Sequence, residues 1–289
     1  FAWQPFADGK TVLRGGFGTF FNRIPVGSQG FLIWGQYPFT TVTTYTSSRT
    51  QPVTLANAFP TSNAVAGVAV SGVDADYKNP RTYQWSLGIQ RQLPWGVTAD
   101  VAYVGSIARN QLISTNINQA SPGAGTPAQV NARRPYPAYG GITFYSWDGK
   151  SSYNSLQTKL SRRVASGLSF TAAYTLGNAE SDTNTRTNQF DVSTGRGPAS
   201  FDIRHRLVIS AVYQLPFGEG RRWLKTGVLS HVLGGWTLTP VFQTQTGQPL
   251  TATLSGNFSN SGGAASDRPD VTGDPNANAP HTPDQWFDT

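Results

Sequence analysis

The stretch YNSLQTKLSRRVASGLSFTAAYTL, residues Tyr153–Leu176, decides the fold. Two alternating runs flank Val164-Ala165-Ser166-Gly167. In the second run Leu168, Phe170, Ala172, Tyr174 and Leu176 share one side, and Ser169, Thr171, Ala173 and Thr175 the other. Successive strand side chains point to opposite faces, which makes such a period diagnostic. In the first run Leu156 and Leu160 alternate with Gln157, Lys159 and Ser161. The pattern predicts a long hairpin with one apolar and one polar face. Each arm is long enough to cross a bilayer as a tilted strand.

The same design recurs outward from this stretch. In TYQWSLGIQRQLPWGVTADVAYVG, Thr82–Gly105, one arm carries Tyr83, Trp85, Leu87 and Ile89, and the other Val97, Ala99, Val101 and Tyr103. Leu93-Pro94-Trp95-Gly96 supplies the turn, with Pro and Gly as its formers. A third pair, HRLVISAVYQLPFG and WTLTPVFQTQTG, alternates His205, Leu207, Ile209, Ala211, Tyr213 and then Trp236, Leu238, Pro240, Phe242. Hairpin arms are therefore expected near 82–92/97–105, 152–162/168–177 and 203–215/236–246, antiparallel throughout. Their apolar residues are expected to share one uncovered sheet face.

Composition agrees with this layout. Charged residues make up 13%, about half the usual share for a soluble globular protein. Mean hydropathy is -0.33, and no apolar run approaches the ~18 residues of a helical span. Apolar residues at every second position keep such an average hydrophilic. The 22 Lys and Arg exceed the 15 Asp and Glu, giving +7, but they are scattered as pairs such as Arg133/Arg134, Arg162/Arg163 and Arg221/Arg222. Nucleic-acid binding leaves a clustered basic stripe, so no nucleic-acid partner is expected. With no Cys there is no disulfide or thiolate metal site. The chain begins mid-strand at FAW with neither Met nor signal peptide, and is expected to be a piece of something longer.

Four long connections separate the strand-like runs: 23–80, 106–151, 178–202 and 246–289, the first with one internal strand expected over Phe39–Thr46. Loops this long are unusual in compact soluble domains. Outer-membrane barrels have short periplasmic turns and long extracellular loops. Strand parity places the turns near Phe6–Lys10, Leu93–Gly96 and Val164–Gly167 on one side, and all four long connections on the other. The segment 218–235 falls on the short-turn side and is long for it.

No catalytic, cofactor or metal site is expected. Gly15-Gly16-Phe17-Gly18 is not followed by a helix pattern, so it is not a nucleotide loop. His205 lies beside Asp202, Arg204 and Arg206, with only His231 and His281 elsewhere, and reads as a strand-start residue at an aqueous rim. Glu180, Asp182, Asp191 and Asp202 match no calcium-loop spacing and read as solvated loop charge. Tyr83, Trp85, Tyr103, Tyr174, Tyr213 and Trp236 sit on the apolar face and fit an aromatic girdle.

With these residues assembled, the chain resembles the barrel of TonB-dependent outer-membrane receptors, in particular the Oar-like subgroup with a carboxypeptidase-regulatory-like domain. The resemblance is carried in order by TVLRGGFGTFFNR, YQWSLGIQRQLPWGVTADVAYVGS, YNSLQTKLSRRVASGLSFTAAYTLGNAESD, FDIRHRLVISAVYQLPFGEGRR, GGWTLTPVFQTQTGQPL and RPDVTGDP with the final WFDT. It covers most of residues 1–289. It implies an all-β fold: a partial, open transmembrane antiparallel β-barrel of about seven to eight long strands, from a ring of ~22. The plug, TonB box and closing strands lie outside the stretch. The implied function is binding and import of an unidentified extracellular substrate across the outer membrane, coupled to the TonB system through the N-terminal part and surrounded by outer-membrane lipid. Trp34, Tyr37, Tyr136, Tyr139, Tyr145 and Trp147 are the candidate ligand contacts in the loops. Two alternatives stay open at this level. One is a plugless porin-like or adhesin barrel. The other is a soluble secreted carbohydrate-binding β-sandwich, which requires the apolar faces to meet in a core.

Overall fold

The computed structural model describes residues 1–23, 34–35, 39–40, 52–56, 68–165, 167–182, 185–254, 256–262 and 267–287. The expected strand at Phe39–Thr46 lies almost wholly outside them. Long alternating runs become long strands: β1 Ala2–Trp3, β2 Thr11–Phe21, β3 Val68–Val73, β4 Arg81–Gln92, β5 Val97–Asn116 and β6 Tyr139–Ala165. They continue with β7 Leu168–Asp182, β8 Thr185–Arg186, β9 Arg196–Pro198, β10 His205–Gln214, β11 Thr237–Leu238 and β12 Val241–Gln245. Among the described residues all twelve belong to one sheet, whose main path is β1-β2-β4-β5-β6-β7-β10-β11, with β12 also on β10. Every neighbouring pair on that path is antiparallel. The sheet is open, since its two ends do not pair with each other.

Register aligns the alternation across the sheet. One row runs Gly15, Leu87, Tyr103, Leu156, Leu176, His205, and the next Leu13, Ile89, Val101, Thr158, Tyr174, Leu207, Thr244. The opposite face holds the row Arg14, Gly88, Ala102, Gln157, Thr175, Arg206, Gln245. Tyr83, Trp85, Leu87, Val101, Tyr103, Leu168, Phe170, Leu207, Ile209 and Phe242 therefore share one face, as the alternation predicts. None of them is buried, and Leu87 and Phe242 are 56% and 55% exposed. Among the described residues no second sheet covers this face, so the core that the β-sandwich alternative requires does not form there.

The apolar face has polar limits. On β4 it runs from Arg81 through Tyr83, Trp85, Leu87 and Ile89 to Arg91. At about 3.3 Å per residue and a tilt near 40°, that interval spans about 25 Å, the height of a barrel's lipid-facing band. On β6 the same face is bounded by Asn154 and Arg162. Trp85 fills the band over Gly105, its partner on β5. A Cβ on Gly105 would run into the indole, so glycine there makes room for the ring.

At one end of the strands the connections are short. Leu93 donates its N–H to Val97 O, with Trp95 and Gly96 at φ 60 and 72 closing the turn. Gly167, at φ 80, closes the β6–β7 hairpin. At the other end β5, β6 and β7 continue well past the band, which corrects the expected loop 106–151. Much of it is strand, with only 117–138 connecting β5 to β6. Antiparallel pairing is not universal either, because β3 runs parallel to β6 and β8 parallel to β5. Both exceptions lie at the long-loop end. There a returning connection lays itself against a strand that has already left the band. The buried apolar residues Ile113, Ala120, Val130, Trp147, Ala179 and Ala199 also belong to this end. The chain's compact core therefore sits above the band.

Candidate functional site: the crown of long connections

Where β5 and β6 leave the band, alternation gives way to polar residues that bind loops. Asn118 is fully buried. Its Nδ2 donates to the carbonyls of Tyr136, Tyr139 and Gly140 at 3.0, 3.2 and 2.7 Å, and its Oδ1 accepts from Tyr136 N–H at 2.8 Å. One buried amide thus shapes the return of the chain into β6, where an unpaired polar group would cost about 1–3 kcal/mol. Before β6 a short helix, Pro127–Ala132, starts on a capping box between Thr126 and Gln129.

Side chains then tie this connection to two others, 178–202 and 246–289. Gln119 Nε2 donates to Thr187 O at 3.1 Å and to Ser261 Oγ at 3.2 Å, while its Oε1 accepts from Gln189 N–H at 3.0 Å. Arg133 donates to the carbonyls of Ser121, Gly123, Ala124 and Asn260. Arg134 donates to Asn118 O and Gly262 O. A planar guanidinium with five donors suits this multi-carbonyl role. The Arg133/Arg134 pair, one of the scattered basic pairs of the sequence, is a fastener between connections.

The acidic residues of 178–202 are structural as well. Asp202 Oδ1 accepts from Ala179 N–H at 2.7 Å, and Asp182 Oδ2 from Lys150 N–H at 2.9 Å. Arg196 reaches Glu180 at 3.1 Å and Asp182 at 3.6 Å. Asp191 accepts from Ser193, and those hydrogen bonds hold its carboxyl below the usual carboxylate value. Asp148 pairs with Arg186 at 2.9 Å, which fastens β8. Partial burial pushes the Asp148 carboxyl up, but the Ser146 hydroxyl and Arg186 outweigh it and leave it below its ordinary value. No cluster of three or more potential metal ligands occurs among the described residues.

The candidate ligand aromatics separate on this scaffold. Tyr136 is 54% and Trp34 64% exposed, and Tyr139, at the start of β6, is also exposed. Tyr145 is half-buried in β6, opposite Val73 and Ser114. Trp147, expected to be exposed, is buried edge-on to Tyr77 with ring centroids 4.9 Å apart. It packs β6 against the chain leaving β3. Tyr37 lies outside the described residues. Sequence reasoning passed over Phe190, Phe201 and Phe258, all exposed in polar segments. Phe190 follows Gln189, which is fixed to Gln119. A lone aromatic in an otherwise polar connection is the signal that could have found them.

The six aromatics expected as a girdle lie at different heights on or next to the apolar face. Tyr83 lies under the Arg81 guanidinium, 5.7 Å from its ring centre. Tyr103 donates its hydroxyl to Asn154 Oδ1 at 2.6 Å, and the Tyr174 hydroxyl lies 2.8 Å from His205 Nδ1. These polar ends mark the band's upper limit on β5 to β10, where His205 is the first residue of β10. Trp85 is in the band, while Tyr213 and Trp236 lie at its lower edge.

A family model described as an outer membrane beta barrel domain matches residues 1–289. No curated protein matches the chain. Among solved structures, the FpvAI–pyocin S2 complex aligns at a TM-score of 0.42 with 10% identity over 87% of this chain and 23% of that one. The outer membrane transporter YddB from Escherichia coli aligns at 0.43 with 12% identity over 84% of this chain and 32% of that one. The chain thus spans about a third or less of the length of these two proteins.

Proposed function

Since the chain belongs to the outer membrane β-barrel domain family and resides in the outer membrane, we propose that it is part of a TonB-dependent receptor barrel of the Oar-like subgroup. In this reading it binds a substrate at the crown, and the intact protein imports it. The apolar band faces lipid, the short turns face the periplasm and the crown faces outward.

One observation carries the proposal. The main path already holds eight strands and its two ends do not pair, while its inner face mixes small residues such as Ser86, Ala102 and Ser155 with polar ones such as Arg14, Gln157 and Arg206. An eight-stranded barrel is filled by its own side chains. Eight strands that stay open suit a larger ring, whose interior is wider than its own side chains fill, and in this reading a plug occupies it. The exposed aromatics Tyr136 and Tyr139 then stand on a hydrogen-bonded platform facing the medium, suited to a substrate with flat or apolar surfaces, with the exposed Trp34 as a further candidate contact. The reading assigns no catalysis.

The porin-like alternative shares the wide interior and differs in what fills it. Conductance of the intact protein in planar bilayers separates the two. A plugged receptor is closed in buffer and opens only when moderate urea loosens the plug, whereas steady open current in buffer would establish the plugless reading. Tyr136→Ala with Tyr139→Ala should weaken substrate capture by cells while leaving the heat-modifiable folded band unchanged.

A further inference from the structure

The 218–235 segment, too long for its side of the membrane, carries a short helix, Val228–Leu233. Val228, Leu229, Val232 and Leu233 are 78, 57, 58 and 41% exposed. At 100° per residue these four form one stripe, while Ser230 on another side is buried. A soluble amphipathic helix turns its apolar stripe inward; this one turns it outward. The orientation is built in. Gly218 and Gly234 meet so closely that a Cβ on Gly234 would lie 2.9 Å from Gly218 Cα. The Trp236 indole Nε1 donates to Val232 O at 2.8 Å.

Trp236 also shows where the helix sits. It precedes β11, where Leu238 pairs with Tyr213 on the lipid-facing side, and two residues away it has the same parity. The stripe is therefore continuous with the lower edge of the lipid-facing band. Beside it lie Arg221, Arg222 and Lys225 against the single acid Glu219. Arg222 stacks over Trp223 at 5.4 Å, and Arg221 donates to Gln214 Oε1 at 3.1 Å.

We infer that residues 219–236 form an interfacial foot that lies in the periplasmic leaflet, with the stripe of Val228–Leu233 among acyl chains and the three cations on anionic phospholipid headgroups. Apolar surface beside Trp and basic residues is the composition of segments that lie in the plane of a membrane interface. Continuity with the band supplies the location, and the charge excess selects an anionic over a zwitterionic headgroup. The foot braces the barrel on its periplasmic rim, at the hairpin joining β10 to β11.

Residues 1–289 contain no Cys, so an introduced thiol is unique within this stretch. Val228→Cys and Val232→Cys, labelled with an environment-sensitive fluorophore, are compared with Asp8→Cys in another turn at the same end. The intact protein is reconstituted in vesicles of phosphatidylethanolamine and phosphatidylglycerol carrying lipid-borne quenchers. The inference expects blue-shifted emission and several-fold stronger quenching at the two helix positions than at position 8. Quenching no stronger than at position 8 overturns it. A blue shift without lipid quenching also overturns it, since protein would then cover the stripe. In a second measurement, R221Q/R222Q/K225Q should lower quenching in the anionic vesicles to the level the unsubstituted foot shows in pure phosphatidylcholine. Equal quenching of both proteins in both lipids overturns the headgroup assignment.

Discussion

Leu87→Arg against Ser86→Arg tests the lipid-facing assignment most directly, because neighbouring residues on one strand point to opposite faces. Leu87 pairs with Tyr103 and Gly15 on the apolar side, and Ser86 with Val104 and Gly16 on the polar side. Arg91 marks the lower limit of the band on the same strand. Four residues at about 3.3 Å and a tilt near 40° put Leu87 about 10 Å above that limit, close to the middle of a band about 25 Å tall. Arginine at the midplane of a barrel's lipid face costs about 2–4 kcal/mol, so Leu87→Arg should destabilise by about 3 kcal/mol, two decades in the folding equilibrium. Ser86→Arg faces an aqueous interior beside Arg14 and Gln84 and should cost about 1 kcal/mol or less. The assay is urea unfolding of the intact protein in phosphatidylcholine vesicles, followed by tryptophan emission and by heat-modifiable migration. If the two variants were equally stable, or Ser86→Arg were the worse, the sidedness of the sheet would be refuted.

Further outcomes follow from the crown and the band. Asn118→Ala removes the amide that holds the carbonyls of Tyr136, Tyr139 and Gly140. It should loosen 117–140 by about 1–3 kcal/mol, read as faster amide exchange there with the band strands unchanged. The Asp148–Arg186 pair should weaken in acid. Its carboxyl is depressed in the folded chain, so its contribution is complete above the ordinary value of 3.8 and is lost as pH falls through the lower folded value. Protease sensitivity around β8 should therefore rise as the pH is taken from neutral to well below 3.8, an effect that Arg186→Gln abolishes; the carboxylate is half exposed, which limits the pair to about 1 kcal/mol or less. Gly105→Leu should displace the Trp85 ring and destabilise by about 1–3 kcal/mol, whereas Gly105→Leu with Trp85→Ala should recover part of that loss in the same urea assay.

Alternation by itself determined the membrane part of this chain. Leu168 to Leu176, Tyr83 to Ile89 and Leu207 to Tyr213 each expose an apolar side to lipid and a polar side to water. That constraint repeats every second residue, so it is written locally and can be read without knowing the neighbours. Parity between turns then assigned the two ends, and even the awkward length of 218–235 was visible, although its outward-facing helix was not. That orientation depends on Gly218 meeting Gly234 and on Trp236 reaching Val232, contacts between residues 4 to 16 positions apart whose geometry has no period. The crown lay further beyond reach. Above the band neither face meets lipid, so β5 and β6 lose their alternation and 106–151 reads as loop. Only the tertiary structure decided that Trp147 packs on Tyr77, and that Gln119, Arg133 and Arg134 spend their hydrogen bonds on residues as distant as Gln189, Asn260 and Gly262. A polar side chain carries no mark of its partner, because the same amide or guanidinium serves water and a remote carbonyl equally well until folding brings the carbonyl to it.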